Sequence, residues 1–142
     1  ASLERLRLGP DSARVPTVLA VDDEPAALDL IDGILSGSGI DIIRASDGRA
    51  AVDIARTTGV DLVICDLIMP GLDGFGVVAE LKSDATTAAI PILICTAHDL
   101  SVEQKERLHG QILGIVAKGP TAREGLRGWL SKVSLDASAA GA

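Results

Sequence analysis

Five short apolar runs, each followed by a stretch with helical spacing, organise this chain. Thr17–Val21 (TVLAV) comes first. Behind it Leu28, Ile31, Ile34 and Leu35 recur at helical spacing from Pro25 to about Ser36, before Gly37 and Gly39 break the pattern. Ile40–Arg44 (IDIIR) predicts a second strand, and Gly48–Thr57 a second helix with Ala51, Val52, Ile54 and Ala55 inward. Leu62–Cys65 (LVIC) predicts a third strand. A Pro- and Gly-punctuated loop then runs from Leu67 to Asp73, and a third helix spans Gly74–Lys82. Ile92–Cys95 follows Pro91 as the fourth strand, and Val102–Leu108 is a short, charged helix. Ile112–Ala117 is the fifth strand, and Thr121–Val133 a last helix carrying Leu126, Trp129, Leu130 and Val133.

The strand runs are continuously apolar rather than alternating, which predicts strands covered on both faces. Strand–helix alternation repeated five times makes an α/β fold, a doubly wound five-stranded parallel sheet. Right-handed crossovers leave few topologies, and the flavodoxin-like (βα)5 arrangement with strand order 2-1-3-4-5 is the common one. At 142 residues the chain suits one domain. We expect that domain at residues 15–133, with 1–14 a linker or remnant and 134–142 (SLDASAAGA in its sequence) a flexible tail.

Composition narrows the function. The chain has one Phe, one Trp and no Tyr, a poor endowment for stacking on bases. A net charge of −7 argues against nucleic acid and against an anionic membrane surface. No apolar run approaches a membrane span and no charged-then-apolar signal segment opens the chain, so a cytoplasmic protein is expected. Cys65 and Cys95 each lie in an apolar run and are expected to be small buried hydrophobes without a disulfide.

In doubly wound sheets function collects at the carboxyl ends of the strands. Asp22, Asp23 and Glu24 follow the first strand, Asp66 the third, Thr96 the fourth and Lys118 the fifth; the second ends in the unremarkable Arg44-Ala45-Ser46. Each has an ordinary role available. Asp23-Glu24-Pro25 suits a helix N-terminus, Asp66 a turn, Thr96 a strand end and Lys118 a solvated position before a Gly-Pro turn. Their conjunction points further. Carboxylates converging at one sheet edge raise each other's pKa unless a cation neutralises them. Hard oxygen ligands with room for water suit Mg2+. A metal, a carboxylate nucleophile, an ammonium and a hydroxyl are the parts required for phosphoryl transfer to Asp.

The acids of VDDEP, the CDLIMPGLDG segment around Asp66, the CTA around Thr96 and the VAKG around Lys118 resemble the signature of two-component response-regulator receiver domains. The spacings, 44 residues from Asp22 to Asp66, 30 on to Thr96 and 22 on to Lys118, are similar too. The resemblance implies a phospho-accepting regulatory domain rather than an enzyme with a separate substrate. Asp66 would be the acceptor. Asp23 would bind Mg2+ directly and Asp22 mostly through water, with Asp66 and the backbone carbonyl of Ile68 completing the set. Thr96 would hydrogen-bond the phosphoryl group, and Lys118 would pair with Asp66 before phosphorylation and with the phosphoryl group after it. The implied donor is a histidine kinase or phosphotransfer protein, and the implied output face is the fourth helix, fifth strand and fifth helix, which could also serve a homodimer.

Two departures stand out. Receivers usually carry Phe or Tyr three residues before the lysine, where this chain has Ile115, so an altered output surface or weaker coupling is expected. Gly119 separates Lys118 from Pro120, so the Lys118–Gly119 bond is expected to be trans. The stretch from His98 to Gly119 resembles receiver modules attached to hybrid sensor kinases. Ile68, two residues past the acceptor, cannot orient a water, which predicts slow self-dephosphorylation; His98, two past Thr96, and His109 are expected at the surface. Two other readings compete. A pseudo-receiver would serve only as a binding or dimerisation module. A flavodoxin-like enzyme or cofactor binder would need a Gly-rich phosphate loop where VDDEPAA stands.

Overall fold

A computed structural model describes residues 15–36 and 39–132. The expectations for 1–14 and 134–142, the residue Val133 and most of the break after the first helix lie outside the described residues. The elements are β1 (Thr17–Val21), α1 (Pro25–Leu35), β2 (Asp41–Ala45), α2 (Gly48–Thr57), β3 (Leu62–Cys65), α3 (Gly74–Ser83), β4 (Ile92–Thr96), α4 (Val102–Leu108), β5 (Gly114–Ala117) and α5 (Ala122–Lys132). All strand pairs are parallel, in the order β2-β1-β3-β4-β5. This is the flavodoxin-like arrangement expected from the alternation of runs.

Alternation of side chains along each strand divides the core between two faces of the sheet. Val18 and Ala20 of β1, with Leu62 and Ile64 of β3, pack under α1 and α5, against Ile31, Ile34, Leu126 and Leu130. Leu19 and Val21, with Val63 and Cys65, pack under α2 and α3, against Val52, Val77 and Leu81. The central strands are buried at every position or nearly so. The edge strands are not: Asp41 and Arg44 of β2 and Ile115 and Ala117 of β5 are exposed. The expectation of full cover therefore fails at the two edges, where a strand has a neighbour on one side only. Cys65 and Cys95 lie on opposite faces, which rules out a bond between them.

Capping fixes where three helices begin. The Asp47 side chain accepts from Ala50 N–H at 2.8 Å and the Asp73 side chain from Gly76 N–H at 2.9 Å. Ser101 and Gln104 close a capping box on α4. Helix α1 differs: Pro25 starts it, and its N-cap Glu24 makes no side-chain cap bond. The strand expected at Ile112–Ala117 begins two residues later, at Gly114. A Cβ at Gly114 would run into the Trp129 ring, so α5 seats its indole on the first residue of β5.

Candidate functional site

Backbone ladders bring the acids together. Asp22 N–H donates to Ala45 O at 3.1 Å, and Asp66 N–H donates to Val21 O at 3.1 Å. The β1–β3 register, with Val21 opposite Cys65, therefore sets Asp66 beside Asp22 just past the last paired residues. Asp22 turns one oxygen back onto the chain, accepting from Glu24 N–H at 2.9 Å. That bond leaves the other Asp22 oxygen, Oδ2, for Lys118. Asp66 Oδ1 accepts from Leu67 N–H at 2.7 Å and, less closely, from Ile68 N–H at 3.4 Å. One oxygen of each of Asp22, Asp23 and Asp66 can lie within 4.8 Å of the others.

Lys118 enters from the far side of the sheet. Its N–H donates to Thr96 O at 2.9 Å, which carries the β4–β5 ladder one step beyond Ala117. Its ammonium then reaches Asp22 Oδ2 at 2.7 Å, Asp66 Oδ2 at 3.0 Å and Glu24 Oε1 at 3.3 Å. The sequence pairs Lys118 with Asp66 alone; the structure adds Asp22, at shorter range, and Glu24. Glu24 is recognisable from the sequence as one of the strand-end acids, but nothing in its position tells that its side chain turns toward a residue 94 positions away.

Asp22, Asp23, Glu24 and Asp66 gather at this edge, and the one ammonium of Lys118 is shared by three of them. Burial raises the Asp22 carboxyl above the usual carboxylate range, and the Lys118 hydrogen bond offsets this only in part. For Lys118, burial would lower the pKa, but the hydrogen bonds to Asp22 and Asp66 outweigh it and hold the ammonium above its usual value. The three Asp side chains are hard, oxygen-only donors, two of them buried and Asp23 exposed to water, and they carry uncompensated charge. That donor set fits Mg2+, which takes few carboxylates and keeps several waters.

Thr96 is buried at the end of β4, where its hydroxyl accepts from His98 N–H at 3.4 Å. The structure brings Asp22, Asp23, Asp66 and Lys118 into contact range, with Thr96 adjoining through the Lys118 backbone. Ile68 meets the site through its N–H, with its side chain 46% exposed. The Lys118–Gly119 bond is trans, as expected. Ile115 is 39% exposed beside a cavity of about 300 Å³ lined also by Thr96, His98 and Lys105. The thiols next to the site are neutral: burial pushes Cys95 up to about 11 against the pull of Lys118, and pushes Cys65 higher still. His98 and His109 are exposed.

Comparison with known proteins agrees with this geometry. The sequence model of the response regulator receiver domain matches residues 18–129. Protein PilH of Pseudomonas aeruginosa is 32% identical over 115 residues, 81% of this chain and 84% of PilH. The sensor protein GacS of Pseudomonas syringae is 32% identical over 124 residues, 84% of this chain but only 14% of GacS. The chemotaxis protein CheY4 of Vibrio cholerae matches with a TM-score of 0.76 and 30% identity, over 84% of this chain and 99% of CheY4. The receiver domain of the Pseudomonas aeruginosa sensor histidine kinase PA1611, solved with a magnesium ion coordinated in its active-site cleft, matches with a TM-score of 0.74 and 26% identity, over 84% of this chain and 97% of that domain. On this extent of sequence and fold, the chain belongs to the response regulator receiver domains, the phospho-accepting regulatory domains of two-component signalling.

Proposed function

We propose that this chain is a phosphorylation-dependent switch that takes a phosphoryl group on Asp66 from a histidine kinase or phosphotransfer protein in a Mg2+-dependent reaction. The observation that carries it is the Lys118 ammonium held between Asp22 Oδ2 and Asp66 Oδ2 within a cluster of three aspartates. Asp22, Asp23 and Asp66, with the Ile68 carbonyl, are the residues we assign to the metal. The chemistry supplied by bound Mg2+ is charge neutralisation between these carboxylates and the incoming phosphoryl oxygens.

The chain's own groups do the rest. An Asp66 oxygen forms the bond to phosphorus as the bond from phosphorus to the donor's imidazole nitrogen breaks, and the electron pair leaves with the imidazole. Leu67 N–H, bonded to Asp66 Oδ1, orients the carboxylate. Lys118, raised in pKa and so fully charged at neutral pH, moves from the carboxylate to the phosphoryl oxygens as charge builds there. The Thr96 hydroxyl, buried and held by one long hydrogen bond, is free to turn and donate to a phosphoryl oxygen. We assign output to the face of α4, β5 and α5, where Val102 is 71% exposed and Ile115 39%, and offer the same face as the surface for a second copy of the chain.

The test is incubation with Mg2+ and a small phosphodonor, read by intact mass. Wild type should gain one phosphoryl group, and both Asp66→Ala and the metal-free wild type should gain none. Equal labelling of Asp66→Ala, or labelling indifferent to chelator, would overturn the assignment.

A further inference from the structure

Glu24 is the third partner of Lys118, and of the three it is the one outside the aspartate cluster. We propose that Glu24 is a positioning residue, the seat toward which the Lys118 ammonium shifts, keeping its bond to Asp66, when a divalent cation takes up the Asp22 carboxylate. The inference rests on the metal site proposed above and deepens it.

The argument is one of competition for an oxygen. Lys118 Nζ lies 2.7 Å from Asp22 Oδ2, so a divalent cation held by the three aspartates, directly or through water, would stand near the ammonium, and two cations repel inside a half-buried cleft. Lys118 has to give ground. Asp66 Oδ2 already holds its share of the ammonium at 3.0 Å, and as a member of the same cluster it cannot also take up the charge that Asp22 gives to the cation. Withdrawal into bulk solvent is hindered by the setting of the side chain, which is only 17% exposed. Glu24 Oε1 is already at 3.3 Å from the ammonium, and its side chain is 68% exposed, so accepting a larger share of the charge costs it little desolvation.

The local chain suits that role. Glu24 N–H is bonded to Asp22 Oδ1 and Pro25 follows, so the backbone root of Glu24 is fixed while its side chain keeps no capping bond to α1. A glutamate, rather than the aspartate favoured at such a position, has the extra methylene that reaches Lys118 instead of turning back on the helix amides.

Calorimetric titration of Mg2+ into the full chain tests this, with far-UV circular dichroism confirming that each variant is folded. Glu24→Gln should weaken Mg2+ binding by about two- to fivefold, the scale of an exposed ion pair. Glu24→Asp, which keeps the charge and caps the helix better, should weaken it to a similar degree. In a Lys118→Ala background Glu24→Gln should have no effect, since there is no ammonium to seat. Wild-type affinity in Glu24→Asp, an equal loss from Glu24→Gln with or without Lys118, or no loss at all would each overturn the proposal while leaving the metal site standing. Absence of Mg2+ uptake by the wild type would overturn both.

Discussion

At the scale of single residues the site is an unbalanced charge cluster, and its imbalance has measurable consequences. The Asp22 carboxyl is raised above its unfolded value, so protonation favours the folded state and the contribution is lost as the pH rises through the raised folded pKa. At neutral pH ionised Asp22 is therefore a cost in the metal-free protein. Asp22→Asn should raise the thermal midpoint of the metal-free protein at pH 7, and the gain should shrink as the pH falls into the range where wild-type Asp22 protonates; a lower midpoint at pH 7 would contradict this. Lys118 is raised as well, but it stays protonated at neutral pH, so its contribution is present there and is lost only as the pH rises above its ordinary pKa. Ile68 sets a different property. Its exposed apolar side chain offers no donor or acceptor to an attacking water beside phospho-Asp66. Decay of phosphorylated wild type followed by mass should be slow, and Ile68→Asn should shorten the lifetime severalfold. A wild-type lifetime of seconds would contradict the expectation.

At the scale of elements, loops hold the chemistry because caps and close approaches hold the loops. Gly74 starts α3 where a Cβ would run into the Asp66 carbonyl and press on Leu67 Cα, so the acceptor loop and the helix meet backbone to backbone. Alanine there gains helix propensity but has to push the Asp66 segment aside. We expect Gly74→Ala to cost roughly 1–3 kcal/mol in urea denaturation, net of that gain, and to slow phosphoryl acceptance by small donors, whereas Gly33→Ala, which would meet nothing, should do neither. The α3–β4 connection is held by Lys82, whose ammonium donates to Ala88 O at 2.9 Å and Ile90 O at 3.0 Å. Element boundaries show where sequence pattern stops being informative. The run IDIIR marks β2 one residue early, because Ala45 joins the ladder opposite Val21 although its side chain signals nothing. The run starting at Ile112 begins two residues ahead of β5, whose first paired residue is Gly114, opposite Leu93, where the Trp129 ring leaves no room for a Cβ.

At the scale of the molecule, folding and ligand binding draw on the same acids. Mg2+ bound only by the folded cluster should raise the thermal midpoint in proportion to the logarithm of its concentration, reaching about 2.7 kcal/mol of added stability at a hundred times the dissociation constant. Asp23→Ala should abolish the rise, since its exposed side chain contributes little else. A midpoint indifferent to Mg2+ in the wild type would remove the basis for the metal assignment.

The sequence by itself determined the layer order, the strand order and the residue types gathered at the strand ends. Hydrophobic period, turn residues and the handedness of crossovers are local or topological rules that need no coordinates. Asp22, Asp66, Thr96 and Lys118 were legible because each is the first polar residue after an apolar run, and a parallel sheet aligns those positions. Only the tertiary structure decided how one ammonium is shared among Asp22, Asp66 and Glu24, which edge positions stay exposed, and where α5 sets its indole. Those outcomes depend on distances between side chains far apart in the chain, and on burial that no single segment carries within itself.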